Sequence, residues 1–368
     1  MIRNWPVIGL LMVLLGCGTW QPFTKRHHPP AVYTPIHDCV ACTTAARPPK
    51  HVLCISGGGL YGAYLAGFLN GWTNTGTRPE FDVVTGISTG SLIGLCAFLG
   101  PEYDALAKVT YTTARQQDIY SLQAWYMIPF SASVVSNAPF RKGIETAVTP
   151  DVIARVAEAH RQGRRFYVGS TNIETKRLVT WDMGSLACRG TPESVDLFKQ
   201  VLVASCAIPG VFPPTPIRVC DEEGERVEWH VDGGASAPMF VPPGLISTAN
   251  NAAAEGMTVY GFVSGKFFSN REPIKPNVLS VLKATVPSVI QGHIRSELAS
   301  ISHLATLAGA KFLCTALPAE FEIRGNLIEL STADQNRLFL EGYRNGSSGP
   351  TWRTAPPTES ASIDQPRP

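Results

Sequence analysis

The chain has 368 residues, 44% of them hydrophobic and only 16% charged, against about 25% charged in ordinary soluble domains. Its 31 basic and 29 acidic side chains leave a net charge of +2. These figures exclude a charge-rich disordered chain and give no electrostatic reason to expect nucleic acid as a partner.

At the N-terminus, Arg3 precedes an almost wholly apolar run from Trp5 to Leu15, which ends in Gly16-Cys17. One cation and a short apolar run are the layout of a secretory signal, too short for the roughly 20 residues of a spanning helix. Gly16-Cys17 resembles the bacterial lipobox. That resemblance implies a signal peptide over 1–16, acylation of Cys17 and a membrane-anchored lipoprotein. Gly18 rather than an aspartate follows, which implies the outer membrane in Gram-negative lipoproteins. Export would permit a disulfide among the eight remaining cysteines without fixing a pairing. Cys39 and Cys42 form a lone CxxC with no second pair or spaced histidines, so zinc is not expected. Cys54 and Cys96 stand in apolar runs and read as buried small hydrophobes.

Residues 17–50 hold six prolines without a helical or alternating period, and read as a tether. The folded domain is expected over 51–345. The Gly-, Ser-, Thr- and Pro-rich end, 346–368, reads as a disordered tail. Within the domain, 51–56 predicts a buried strand, then three glycines, then a helix over 61–72. Residues 81–85 predict a second strand, and 90–99 a second helix. Strand, glycine-rich turn and helix, twice over, indicate βαβ units and a mostly parallel sheet. Further strands are predicted at 165–171, 177–182, 226–231 and 257–264, and helices near 150–162, 193–205 and 277–309. The aromatic-rich stretch 115–145 reads as irregular, either a lid or lipid-facing insertion or a buried core segment.

Three motifs carry chemistry. Gly86-Ile87-Ser88-Thr89-Gly90 is a GxSxG match between an apolar strand and a helix. There the serine sits on a strained elbow above the sheet, and the helix N-terminus behind it suits a developing oxyanion. Gly57, Gly58 and Gly59 lie between strand and helix, where several backbone N–H groups can converge on one spot as an oxyanion hole or a phosphate cradle. Gly57 to Gly62 also fits GxGxxG. A dinucleotide site would want an acidic residue closing the next strand, whereas Glu80 and Asp82 open it. Asp232-Gly233-Gly234 follows a strand, which puts a carboxylate at the sheet edge as a candidate base for Ser88.

In this order, with Ala204 to Pro214 preceding the aspartate, the motifs resemble the patatin-like phospholipase family over roughly residues 50–240. The resemblance implies a three-layer α/β/α sandwich with a mostly parallel central sheet. It implies a lipid acyl hydrolase acting on phospholipid or other acyl esters, with Ser88 as nucleophile, Asp232 as base, Gly57, Gly58 and Gly59 as oxyanion donors, and no cofactor or metal. Many members carry Arg or Lys where this chain has Tyr61, which puts a cationic phosphate contact there in doubt. One rival is a Ser-His-Asp α/β-hydrolase using His293 or His303. A second is a non-catalytic anchored scaffold, and a third is acyl transfer to an acceptor other than water. His230 precedes Asp232 by two residues and so shares its strand face. The acidic run Asp221 to Glu225 lacks the spacing of a calcium loop and reads as a solvated hairpin turn.

Overall fold

The computed structural model describes residues 49–122, 131–221, 224–242, 245–246, 256–268, 277–322, 331–349 and 352–357. The expected signal peptide and tether up to residue 48, with Cys17, Cys39 and Cys42, lie outside the described residues. The chain divides into Met1–Thr34 and Pro35–Pro368, and every described residue belongs to the second unit.

The strand β1 (His51–Ile55) leads through the glycines into α1 (Gly62–Asn74). Next come β2 (Val83–Ile87), α2 (Thr89–Leu99) and α3 (Asp104–Thr113). A short α4 (Gln116–Ile119) precedes the two-residue strands β3 (Ser121–Leu122) and β4 (Val135–Ser136). Then follow α5 (Ala138–Ala147), α6 (Pro150–Arg161), β5 (Arg165–Asn172) and β6 (Arg177–Asp182). The helices α7 (Met183–Arg189) and α8 (Pro192–Ser205) lead into the hairpin β7 (Thr215–Asp221) and β8 (Gly224–Asp232). The chain ends through β9 (Thr258–Phe262), α9 (Val278–Leu307), β10 (Lys311–Thr315) and α10 (Thr332–Ser347).

The main sheet runs β10-β9-β1-β2-β5-β8-β7, with β6 also on β5. Strands β10, β9, β1, β2 and β5 are mutually parallel, and β6, β7 and β8 are antiparallel additions. The fold is therefore the expected α/β/α sandwich. Alternation along β1 sorts the two faces. Leu53 and Ile55 join the core under α1, α2, α6, α8 and α10. Val52 and Cys54 point the other way, into a second core with Ile294, Leu298 and Ile301 of α9.

Two differences from the sequence reading concern the edges of the fold. The stretch 115–145 contains α4, the β3–β4 ribbon and α5, with Tyr120 buried; residues 123–130 lie outside the described residues. The expected tail from 346 begins too early. Helix α10 continues to Ser347, and Trp352 packs its ring within 5.0–5.8 Å of those of Phe68, Trp72, Tyr260 and Phe262. Arg353 pairs with Cys314 through both backbone groups, at 2.8 and 3.0 Å. A composition rich in small polar residues hid one large apolar side chain with a place in the core. The polar remainder, 358–368, lies outside the described residues.

Helix α10 also packs on α1 at backbone distance. A Cβ added to Gly67 would meet the Phe339 carbonyl at 2.0 Å, and one added to Gly342 would meet that of Tyr64 at 1.9 Å. Only glycine permits that approach.

Candidate active site

The geometry begins with one rung of the sheet. Strand β6 occupies one edge of β5 over residues 167–172, so β2 and β8 share the other edge end to end. Ile87, the last residue of β2, pairs with Gly169. The next rung, at Ser170, belongs to Asp232 of β8. Ser88 leaves the sheet at the point where Asp232 enters it. Residues 144 positions apart in the chain thereby become neighbours.

The turn at Ser88 is tight. Its φ of 54° and ψ of −128° lie where a side chain rarely goes, and such a conformation costs about 1–3 kcal/mol. The flanking glycines make it possible. A Cβ on Gly86 would lie 2.3 Å from the Gly90 carbonyl, and one on Gly90 would lie 2.6 Å from the Ile55 carbonyl. Helix α2 can therefore start directly against β1, with its N-terminus beside the serine.

Asp232 is 7% exposed. Burial pushes its carboxyl up to about 6, opposed by the neighbouring Ser88 hydroxyl and by the Gly234 N–H, both of which favour the ionised form. The Gly234 bond is 2.8 Å long. The fold thus places Ser88 and Asp232 on neighbouring rungs at one edge of the sheet.

One segment, Ser205 to Ala207, holds both residues from below. Ser205 Oγ accepts from the Ser88 N–H at 2.9 Å and donates to the Gly169 carbonyl at 2.7 Å. The Ala207 carbonyl accepts from the Asp232 N–H at 2.8 Å. Between them lies the Cys206 thiol, which burial and the nearby Asp232 carboxylate push well above the ordinary thiol range. The sequence reading used this segment only as part of a resemblance. A buried serine at the end of an apolar helix gave no separate signal.

The glycine loop needs one correction. The Gly57 N–H is committed to the Pro238 carbonyl at 3.1 Å, so Gly57 is not available as an oxyanion donor in this conformation. Its place is steric: an added Cβ would lie 3.2 Å from the Ser88 Cβ. The N–H groups of Gly58 and Gly59 have no acceptor among the described residues. Gly58 is pressed against Ser264, whose Cβ would be 2.3 Å from a Cβ placed there. Tyr61 packs near Gly265, and Asp82 accepts from the Lys50 and His51 N–H groups at 2.8 and 3.0 Å, at the opposite edge of the sheet. That carboxylate is remote from the glycine loop, as no dinucleotide site would have it.

The histidines stand apart. His293 lies on α9, on the far face of the sheet, 3.4 Å from Glu297, and His303 is exposed on the same helix. His230 is fully buried, held by Ser170 at 2.9 Å and Glu228 at 3.3 Å rather than by Asp232. No described group of His, Cys, Asp and Glu could hold a metal ion.

From Ser88 a cavity of about 270 Å³ extends between α2, α3, α5 and α8. Leu92, Leu106, Ile144, Leu202 and Phe212 line it, and Asp118 and Gly143 bring it to the exposed surface. Tyr111, hydrogen-bonded to Thr89, closes one wall. A long apolar slot that starts at a serine hydroxyl suits a hydrocarbon chain attached to a reacting carbonyl.

Residues 53–244 match the patatin-like phospholipase family, just over half of the chain. The chain belongs to that family. A patatin-like phospholipase acts on lipid acyl esters, and the glycine loop, the elbow and the Asp232 turn all fall inside the matched region. Among solved structures, this patatin-like chain is similar to VipD from Legionella pneumophila, with 12% identity, a TM-score of 0.36, and coverage of 82% of this chain and 67% of that one. No curated protein matches it.

Proposed function

We propose that this chain is a serine lipid acyl hydrolase, tethered through an acylated Cys17 to a bacterial outer membrane and using a Ser88–Asp232 dyad. The observation that carries the reading is the placement of the Ser88 elbow on the rung next to the buried Asp232 carboxyl, at the head of an apolar cavity. In the first half-reaction Asp232 takes the Ser88 proton as Oγ bonds to the ester carbonyl carbon. The carbonyl electron pair moves to oxygen, facing the N–H groups of Gly58 and Gly59 and the start of α2. The tetrahedral intermediate collapses, the ester C–O bond breaks, and the alcohol leaves with the proton from Asp232. Water then repeats the sequence on the acyl-enzyme, releasing a fatty acid and free Ser88. Phospholipid is the substrate that fits a lipid-anchored enzyme with an acyl slot.

The test is hydrolysis of a long-chain fluorogenic ester by folded Ser88→Ala and Asp232→Asn variants. Both rates should fall, Asp232→Asn by about 10²–10⁴-fold, the usual weight of a general base. A fluorophosphonate should label Ser88 in the wild type alone. Wild-type turnover by either variant would falsify the dyad. Loss on His293→Ala or His303→Ala would point to the triad rival instead. An unlabelled Ser88 in folded protein would leave the scaffold reading.

A further inference from the structure

The slot that begins at Ser88 has a direction and an end. Helices α2 and α3 run antiparallel beside it. At one end the Tyr111 hydroxyl of α3 hydrogen-bonds to Thr89, the first residue of α2. At the other, Arg78 ties the two helices together. It donates to the Ala97 carbonyl of α2 at 3.3 Å and to the Asp104 carboxylate, where α3 starts, at 2.7 Å. The start of α6 is drawn to that same end, because the Tyr103 hydroxyl donates to Asp151 at 3.4 Å. Val148, two residues before α6, therefore stands with Cys96 and Ala107 at the end away from the serine.

That end is blind. Cys96, Ala107 and Val148 line the cavity, are only 6%, 1% and 2% exposed, and belong to the main core. The exposed lining residues, Thr110, Asp118 and Gly143, open the slot nearer the serine, since Thr110 adjoins Tyr111 and Gly143 lies five positions before Val148. The length follows from helix geometry. From Ser88 to Cys96, α2 advances eight residues, about 12 Å. A hydrocarbon with bonds of about 1.52 Å meeting at about 111° advances about 1.25 Å per bond, so about ten carbons reach from the serine to the floor. The cavity volume of about 270 Å³ lies just below the range of about 300–1,000 Å³ for drug-sized ligands, which leaves room for one chain and not two.

We propose that the slot selects acyl esters by chain length, accepting a single chain of about ten carbons, and that Ala107 sets its depth. Alanine is the smallest side chain of the three at the floor, so the last part of the slot exists because position 107 carries only a methyl group. The inference deepens the proposed function and rests on it for hydrolysis; the fit of a chain to the slot is read separately, by binding.

The experiment measures kcat/KM of the full chain on p-nitrophenyl esters of four to sixteen carbons, each held below its micellar concentration. Each methylene taken from water into the slot is worth about fourfold. The rate constant should therefore climb with chain length, peak near ten carbons and fall by sixteen. A climb that continues through sixteen carbons would overturn the proposal and leave the hydrolase standing. In Ala107→Leu the peak should move to about seven or eight carbons, with the decanoyl-to-hexanoyl ratio reduced about tenfold or more. Equal loss at every length would remove Ala107 from the floor. Should that variant not fold, Val148→Ala must move the peak the other way, toward longer chains, and a peak that stays in place would overturn the blind end. A second arm needs no turnover: calorimetric binding of hexanol, octanol and decanol, with decanol tightest in wild type and weakened most in Ala107→Leu. That order of binding with no ester hydrolysed would sink the proposed function and keep the slot. Equal binding of all three alcohols would sink the slot.

Discussion

At the scale of single residues, the most informative group is the Asp232 carboxyl. An exposed aspartate is a poor base at neutral pH, because it holds a proton weakly. Burial at the sheet edge raises its proton affinity to a value of about 6. In the proposed mechanism the base must be ionised in the free enzyme. Activity should therefore fall as pH drops through about 6, read as the acid limb of a kcat/KM profile. The same shift opposes folding. The folded carboxyl binds protons more tightly than the unfolded one, so stability is greatest below about pH 4 for this group and is lost as pH rises toward 6. Above that window the cost is about 2–4 kcal/mol. Asp232→Asn should accordingly raise the melting temperature at pH 8 while slowing turnover as above, and should give little gain at pH 4. A Tm unchanged at both pH values would contradict the burial argument. A buried carboxyl that opposes its own fold is a common mark of a functional site.

At the scale of elements, the bracket from Ser205 to Ala207 joins the elbow to the Asp232 strand. Ser205 has no side-chain exposure, and its hydroxyl fills the gap between the Ser88 N–H and the Gly169 carbonyl. Ser205→Ala leaves both groups unpaired, at about 1–3 kcal/mol each. The expected outcome is a kcat reduced by about tenfold or more with KM nearly unchanged, since the elbow shifts and the acyl slot does not. Ser205→Thr, which keeps the hydroxyl, should recover part of the rate. A KM effect without a kcat effect would show that Ser205 supports the slot and not the nucleophile. The elements around this bracket were legible because their signals are local. The strand before Ser88, the helix after it, and the strands at 165–172 and 177–182 each carry their own apolar pattern. Strands β7 and β10 and helix α10 were not anticipated. Pro216 disguises β7, β10 is only five residues long, and Gly342 and Gly346 interrupt the helical signal of α10.

At the scale of the whole molecule, the C-terminal region closes the core. Trp352 sits against rings from α1 and β9, and Arg353 extends the edge beside Cys314. The domain therefore reaches beyond the matched family region, which ends at residue 244. Trp352→Ala should lower the melting temperature by about 5–10 °C, as expected for removal of a large packed ring. Truncation after residue 345 should do at least as much. A truncated chain with unchanged thermal unfolding would return these residues to the status of a tail. All six described cysteines are unbridged, and burial pushes Cys54 and Cys96 up to about 12, so those two act as core side chains.

The sequence by itself determined the βαβ start, the glycine loop, the strained serine turn and the acidic turn far down the chain. Each is written in a few consecutive residues whose backbone demands are local. It could not show that Asp232 takes the rung that Ser88 vacates, because that depends on β8 adding antiparallel to the end of β5. Nor could it show that the Gly57 N–H is already spent on Pro238, that Ser205 and Ala207 brace both sides of the site, or that α3 runs back along α2 to close the acyl slot. Those are properties of pairing and length between distant segments. Only the tertiary structure decides them, because no stretch of chain records what folds against it.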